Sequence, residues 1–199
     1  MNPKNIAVIV GSWLLIGCAG LVVMLHHEKL AGISGNPPRE WPLQSAIPHR
    51  GLTLVMFVHP RCPCTRASIG ELAQVMARFR GMVTAQVLFV QPAGEDLDWV
   101  KGGLWRLAEA IPGVTVHADS NGVEARRFNA ITSGQTMLYG ENKLLFTGGI
   151  TAGRGHAGDN PGRDAITALA GGQTTSGART AVYGCALPEK SMSCERRTP

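Results

Sequence analysis

Two cysteines separated by a single proline, Cys62 and Cys64, stand in the stretch FVHPRCPCTRAS. A cysteine at the start of a helix is stabilised as the thiolate, because unpaired backbone N–H groups and the positive end of the helix dipole favour an anion there. Proline is favoured at the first helical position, so Pro63 at that position would make Cys62 the N-cap. The thiolate attacks disulfides and binds soft metals, and Cys62 is therefore predicted to be the more acidic and more reactive cysteine.

The residues around Cys62 affect the pKa of its thiol, and the spacing to Cys64 affects whether the two cysteines can form a disulfide. His59 and Arg61 add positive charge or hydrogen-bonding potential close to Cys62, which favours a lowered thiol pKa. Side chains two residues apart on a helix point to nearly opposite sides, so a disulfide between Cys62 and Cys64 would distort the helix start. A strained bond of this kind is easily reduced and is typical of an oxidant or an isomerase.

A third cysteine, Cys185, lies in the C-terminal stretch TAVYGCALPEK, which is predicted to be flexible enough to fold back over the site. Cys185 is therefore a second candidate partner for Cys62. Alternatively, Cys185 and Cys194 pair with each other or remain spare thiols. Five unevenly spaced cysteines do not make a disulfide-stapled miniprotein, so the domain must be held together by its apolar core.

The hydrophobic pattern predicts the strand and the helix that position the cysteine pair. An apolar run over residues 52–59 indicates a buried strand, and from Thr65 apolar residues recur at helical spacing. A second buried strand over 83–90 completes a βαβ unit with parallel strands. The remaining pattern predicts a helix over 98–110, a strand over 114–117, a turn over 119–122, a short helix over 124–128, a hairpin of strands 136–139 and 143–147, and a helix that Asn160 and Pro161 cap and that ends near 170.

A glycine-rich loop, GGITAGRGHAGDN over residues 148–160, follows the last predicted strand. In this topology that strand runs back toward the end of the first, so the loop is expected beside Cys62. Its Arg154 and His156 are predicted to support the site, with His156 as a base or a ligand. The run GRGHAG matches G-x-G-x-x-G, but no acidic residue follows about 20 positions later, and no dinucleotide cofactor is predicted.

The N-terminus predicts a membrane anchor. Residues 6–25 form twenty residues without a charge, about the number that a helix needs to cross a hydrocarbon layer. We expect a single-pass helix in the inner (cytoplasmic) membrane with the domain facing the periplasm. Two alternatives are a cleaved signal peptide and a lipobox, LIGC, with Cys18 as the acylated residue.

Length and composition predict one domain with appendages. The 199 residues are interpreted as an anchor over 1–30, a Pro/Gly-rich linker over 31–50, a folded domain over 51–172 and a flexible C-terminal tail over 173–199. The formal net charge of +5 is spread along the chain without a basic run or interleaved aromatics, so no nucleic-acid partner is predicted.

The order of elements from about residue 52 to 172 resembles the thioredoxin-like superfamily, which implies an α/β fold with a central mixed sheet flanked by helices. More narrowly, the segments HPRCPCTRAS, SGQT, GGIT, RGHAGDN and VYGCAL are similar to membrane-associated RedB-type thioredoxin-like proteins. Two departures from the superfamily argue against ordinary thioredoxin-type dithiol exchange. The Cys-x-x-Cys motif is one residue shorter here, and Gln135 and Thr136 stand where the family carries a cis-proline followed by threonine.

Two function classes follow. The first is a membrane-anchored, extracytoplasmic thiol-disulfide oxidoreductase that needs no cofactor and acts on a thiol or disulfide protein. In it Cys62 attacks, and Cys64 or Cys185 resolves the mixed disulfide. The second is a copper or zinc delivery protein, because His59, Cys62 and Cys64, with Cys185 or His156, offer thiolate and imidazole ligands.

Overall fold

The structure is a computed structural model that describes residues 2–187, and these fall into two units, one through Leu30 and the other from Ala31 onward. The first unit is helix α1, Pro3–Lys29, whose start is capped by the side chain of Asn2. Its apolar side chains are exposed along its length. By length and composition α1 can cross a membrane, in agreement with the predicted anchor.

The second unit is built on a five-stranded mixed sheet with the order β3-β2-β1-β4-β5. β1 is parallel to β2 and β2 to β3, whereas β4 is antiparallel to both β1 and β5. This is the predicted central mixed sheet flanked by helices. The strands are β1 Leu52–Val58, β2 Val83–Gln91, β3 Val114–Ser120, β4 Gln135–Gly140 and β5 Lys143–Gly148, and the helices are α2 Thr65–Arg78, α3 Leu97–Val100, α4 Gly103–Glu109, α5 Val123–Arg127 and α6 Pro161–Ala170.

The predicted elements differ from the observed ones mainly at their ends. The predicted helix over 98–110 is two helices, because the chain breaks at Gly102, which has an extended backbone and no side chain to favour helix. β3 continues to Ser120, so the turn after it is shorter than predicted. The carboxylate of Asp119 accepts hydrogen bonds from the backbone N–H groups of Glu124 and Ala125, which starts α5.

Residues 31–50, predicted to be a linker, pack against one face of the sheet. Trp41 stacks on His49 at 4.4 Å between ring centroids and meets the buried rings of Phe128 and Tyr139 edge-on. Trp41 therefore covers an aromatic cluster that the sheet alone would leave exposed to water.

Residues 173–187, which we name the strap, differ from the predicted flexible tail. The backbone of Thr147 in β5 donates to Ala178 and accepts from Thr180, which pairs part of this edge strand. Val182 and Leu187 are fully or almost fully buried. The strap is held because it satisfies backbone groups of an edge strand and buries apolar side chains. Cys194 lies outside the described residues.

Candidate active site

Cys62 lies in the turn between β1 and α2, within one helical turn of the helix start. The N-cap of α2 is Cys64, which makes no side-chain capping bond, and the backbone N–H of Thr65 donates to the carbonyl of Cys62 at 3.1 Å. The prediction that Pro63 begins the helix and that Cys62 caps it was therefore wrong by two residues. A turn that is closed by the hydrogen bond from Thr65 to Cys62 precedes the helix, and proline fits such a turn as well as it fits a first helical position.

Individual hydrogen bonds surround the sulfur of Cys62. The residue is only 1% exposed, and the backbone N–H of Cys185 donates to its Sγ at 3.4 Å. Burial alone would raise the thiol pKa, but the thiol and backbone N–H of Cys185, the backbone N–H of Cys64 and the hydroxyl of Thr65 outweigh it and lower the pKa. These groups donate hydrogen bonds directly to the Cys62 sulfur and so favour its thiolate, although Cys62 is not the helix cap that was predicted.

The other two thiols shift in the opposite direction. Burial, the charge of Cys62 and the hydrogen bond with Cys62 raise the pKa of Cys64, and Arg154 opposes the rise. Burial and the same contacts with Cys62 raise the pKa of Cys185 to about 12. Cys64 and Cys185 therefore keep their protons to a higher pH than Cys62, which makes Cys62 the most acidic of the three thiols.

Ser133 connects the three elements that meet at the site and was missed by the sequence analysis. Its Oγ accepts from the backbone N–H of His59 at 2.9 Å and lies 2.9 Å from the hydroxyl of Thr65, and its backbone N–H donates to the carbonyl of Cys185 at 2.8 Å. The residue is 1% exposed. Ser133 thereby holds the end of β1, the start of α2 and the strap in one arrangement.

His59 and Arg61 meet Trp99, a second residue that the sequence analysis missed. The guanidinium of Arg61 lies 4.5 Å from the centroid of the Trp99 ring, and the His59 ring meets that indole edge-on at 5.7 Å. Nδ1 of His59 accepts from the backbone N–H of Arg61 at 3.1 Å. Burial and the nearby charge of Arg61 lower the pKa of His59, which favours the neutral imidazole.

The remaining predicted supporting residues divide into two groups. Arg154 donates to the carbonyl of Gly184 in the strap at 2.8 Å and to the side chain of Cys64, whereas His156 is exposed on the same loop. Gln135 bonds the backbone of Gly35 and of Ile131, so it fastens the N-terminal segment to the sheet. Its neighbour Thr136 is buried, and its hydroxyl donates to a backbone carbonyl two residues earlier.

A buried carboxylate fixes the loop that carries Arg154. Glu71 on α2 is fully buried and accepts from the backbone N–H of Gly158 at 2.7 Å, from Nδ2 of Asn160 at 3.4 Å and from the guanidinium of Arg163 at 2.6 Å. Removing it would leave the backbone N–H of Gly158 without this acceptor and the buried side of the Arg163 cation without its paired charge, which is costly in a buried site.

We expect Glu71→Ala to lower the free energy of unfolding by about 3 kcal/mol, because it breaks a buried ion pair by removing one partner. Urea unfolding followed by tryptophan fluorescence measures this. Glu109→Ala, at an exposed position on α4, is the matched control and is expected to cost less than about 0.5 kcal/mol. Equal losses in the two variants would show that Glu71 does not anchor the loop.

The metal alternative finds less support from the geometry. Within residues 2–187, no group of three or more His, Cys, Asp or Glu side chains is arranged to hold a metal ion. His59, Cys62 and Cys64 share the turn, but Nδ1 of His59 already accepts from the backbone.

Several solved structures are similar to this chain in fold, at low sequence identity. A hypothetical protein from Sinorhizobium meliloti 1021 superposes with a TM-score of 0.56 at 18% identity, over 80% of this chain and 96% of that one. An uncharacterized conserved protein from Geobacillus kaustophilus gives a TM-score of 0.58 at 16% identity, over 81% of this chain and 93% of that one. A secreted Mycobacterium tuberculosis disulfide oxidoreductase, described as homologous to E. coli DsbE, gives a TM-score of 0.45 at 16% identity, over 61% of this chain and 81% of that one.

No protein-family model matches the chain, and the search of curated proteins returned no match. The strand order and the flanking helices define a thioredoxin-like α/β fold, with an apolar N-terminal helix that could cross a membrane.

Proposed function

We propose that this protein is a membrane-anchored thiol-disulfide oxidoreductase in which Cys62 is the nucleophile. The observation that carries the proposal is the convergence on the Cys62 sulfur of hydrogen bonds from Cys185, Cys64 and Thr65. A buried, inert cysteine needs no such set of donors, whereas a reactive one gains its thiolate from them. Anchoring by α1 in the inner membrane, with the domain in the periplasm, belongs to this proposal and suits disulfide chemistry.

The reaction begins with attack of the Cys62 thiolate on a substrate disulfide. The bond between the Cys62 sulfur and one substrate sulfur forms, the substrate S–S bond breaks, and the second substrate sulfur leaves as a thiolate that takes up a proton. The lowered pKa of Cys62 keeps its thiolate available at a pH where an ordinary cysteine is mostly protonated. The product is a mixed disulfide between Cys62 and the substrate.

Cys185 is the resolving cysteine in this proposal. Its thiol and its backbone N–H both hydrogen-bond to the Cys62 sulfur, and the bond between its carbonyl and Ser133 holds it there. Cys64 also contacts Cys62, but a disulfide between residues two apart strains the backbone. After loss of its proton, Cys185 attacks the Cys62 sulfur, the Cys62–Cys185 bond forms, and the substrate thiol leaves. The chain is oxidised by two electrons and the substrate is reduced; the reverse sequence oxidises a substrate dithiol.

The narrow likeness to RedB-type thioredoxin-like proteins supports association with a membrane and does not identify the substrate. The segments that carry it include HPRCPCTRAS and VYGCAL, which hold all three cysteines of the candidate site. We propose that the partner is an extracytoplasmic thiol or disulfide protein, because the three clustered cysteines suit disulfide exchange with such a protein.

Cys185→Ser is expected to trap the mixed disulfide on Cys62. In a Cys18→Ser, Cys194→Ser background, one equivalent of dithiobisnitrobenzoate should release two thionitrobenzoates from the wild-type site, the first on attack and the second on resolution. The Cys185→Ser variant should release one and keep the other as an adduct on Cys62, which peptide mass spectrometry locates.

Two outcomes contradict the proposal. Release of two thionitrobenzoates by Cys185→Ser would make Cys64 the resolving residue. No rapid release from the wild-type site, together with tight stoichiometric copper(I) binding that both Cys62→Ser and Cys64→Ser abolish, would replace the oxidoreductase with a metal carrier.

A further inference from the structure

Arg154 connects the two elements that carry the second thiols. Its guanidinium donates to the carbonyl of Gly184, the residue before Cys185, at 2.8 Å. The same side chain donates to Cys64 at the start of α2. One half-buried cation therefore contacts the strap and Cys64, and its charge also acts on the thiol of Cys185.

The loop around Arg154 is held from both sides. Before the residue, Gly153 accepts from the backbone N–H of His156 and closes a turn. After it, Gly158 and Asn160 bond to the buried carboxylate of Glu71. The guanidinium is thus presented from a fixed backbone, which limits the entropy lost in placing a long side chain.

The charges at the site change during the proposed reaction. In the reduced protein, burial raises the pKa of Cys185 most, and the hydrogen bond and negative charge of Cys62 add to it, while Arg154 opposes the rise. In the mixed disulfide the Cys62 sulfur carries no charge. The part of the rise in the Cys185 pKa that comes from the Cys62 charge is then gone, whereas burial and the attraction of Arg154 remain.

We infer that Arg154 is a positioning residue for the second step of exchange: it holds the strap by the Gly184 carbonyl and presents its positive charge to the thiolate that forms at Cys185 once Cys62 is consumed. The inference rests on the proposed function. In this step Cys185 loses a proton, its sulfur bonds to that of Cys62, and the substrate sulfur leaves and is protonated. Arg154 is neither oxidised nor bonded covalently.

Two-phase thionitrobenzoate release tests this role on the full-length chain in detergent, again with Cys18 and Cys194 replaced by serine. Arg154→Gln should leave the first phase, attack by Cys62, within about threefold of the wild-type rate, and slow the second phase by about 10- to 100-fold, as expected for loss of a charge-assisted contact. Arg154→Lys keeps the charge and should recover most of the second-phase rate. Arg66→Gln, an exposed position on α2, is the matched control and should change neither phase.

The outcomes separate this inference from the proposed function. A wild-type chain that never releases the second thionitrobenzoate would reject both. A wild-type chain with two phases and an Arg154→Gln variant with the same second-phase rate would overturn the role of Arg154 alone. If Arg154→Gln fails to fold, Arg154→Lys decides: a second phase more than about tenfold slower than wild type would show that the charge does not drive resolution.

Discussion

Replacing Cys62 by serine should lower disulfide exchange by about a thousandfold or more, as is usual when the attacking nucleophile of an enzyme is removed. Serine keeps the backbone and nearly the size of the side chain, but its hydroxyl does not ionise at neutral pH. The hydrogen bonds that lower the pKa of Cys62 therefore have no thiolate to stabilise. Release of thionitrobenzoate under single-turnover conditions measures the loss.

Cys64→Ser is the matched control for this prediction. Residue 64 donates to the Cys62 sulfur through its backbone N–H, and serine retains this donor. We therefore expect the first phase of release to stay within about threefold of the wild-type rate, the scale of a single neutral hydrogen bond. A fast thiol that survives in Cys62→Ser and is lost in Cys64→Ser would assign the nucleophile to Cys64 and reject the proposed site.

The pH dependence of the first phase adds a second measurement. Because hydrogen bonds lower the pKa of Cys62, its thiolate should persist to a lower pH than that of N-acetylcysteine. The rate should then fall only as the pH drops through that lowered pKa. Coincident profiles for the protein and the small thiol would contradict the geometry around Cys62.

The sequence could predict the sheet and the position of the cysteine pair because both depend on local patterns. Apolar runs, helical spacing and the Asn160 cap each report on neighbouring residues, and α6 begins at Pro161 as that cap predicts. The wrong prediction that Pro63 begins α2 also depends on a local pattern. Proline is equally suited to a turn and to the first position of a helix, so the residue type alone does not decide which one forms.

The strap could not be predicted in the same way, because its contacts join residues far apart in the sequence. Cys185 meets Cys62 across 123 positions, and hydrophobic periodicity carries no information about such a pair. The role of Ser133 was accessible in principle. β4 runs antiparallel to β1, with Gln135 opposite Phe57, so the residues just before β4 must lie at the end of β1, beside Cys62.

Gly184→Ala should displace the strap from Cys62. A Cβ at this position would lie 2.0 Å from the carbonyl oxygen of Ser133, which is backbone and cannot move aside as a flexible side chain would. The same shift would separate the backbone of Cys185 from Ser133 and from the Cys62 sulfur. The variant should therefore lose the resolving step while keeping the nucleophile.

Two rates should change in opposite directions in this variant: alkylation of Cys62 should become faster, and the second phase of thionitrobenzoate release should become slower. Iodoacetamide should alkylate Cys62 at least about tenfold faster at alkaline pH, where an exposed cysteine is largely ionised, because a sulfur that is 1% exposed becomes accessible. The second phase of thionitrobenzoate release should slow by a similar factor, because Cys185 no longer lies at the mixed disulfide.

Gly177→Ala, in the same strap, is the matched control. A Cβ there would meet its nearest atom, the hydroxyl of Thr175, at 3.4 Å, which is an ordinary contact. Both rates should match those of the wild type. If Gly184→Ala also has the wild-type rate of alkylation and the wild-type second phase, the strap does not cover Cys62 in solution. Cys185 would then not be the resolving cysteine. Faster alkylation with an unchanged second phase would show that resolution passes through Cys64, the thiol that stays on α2 when the strap moves away.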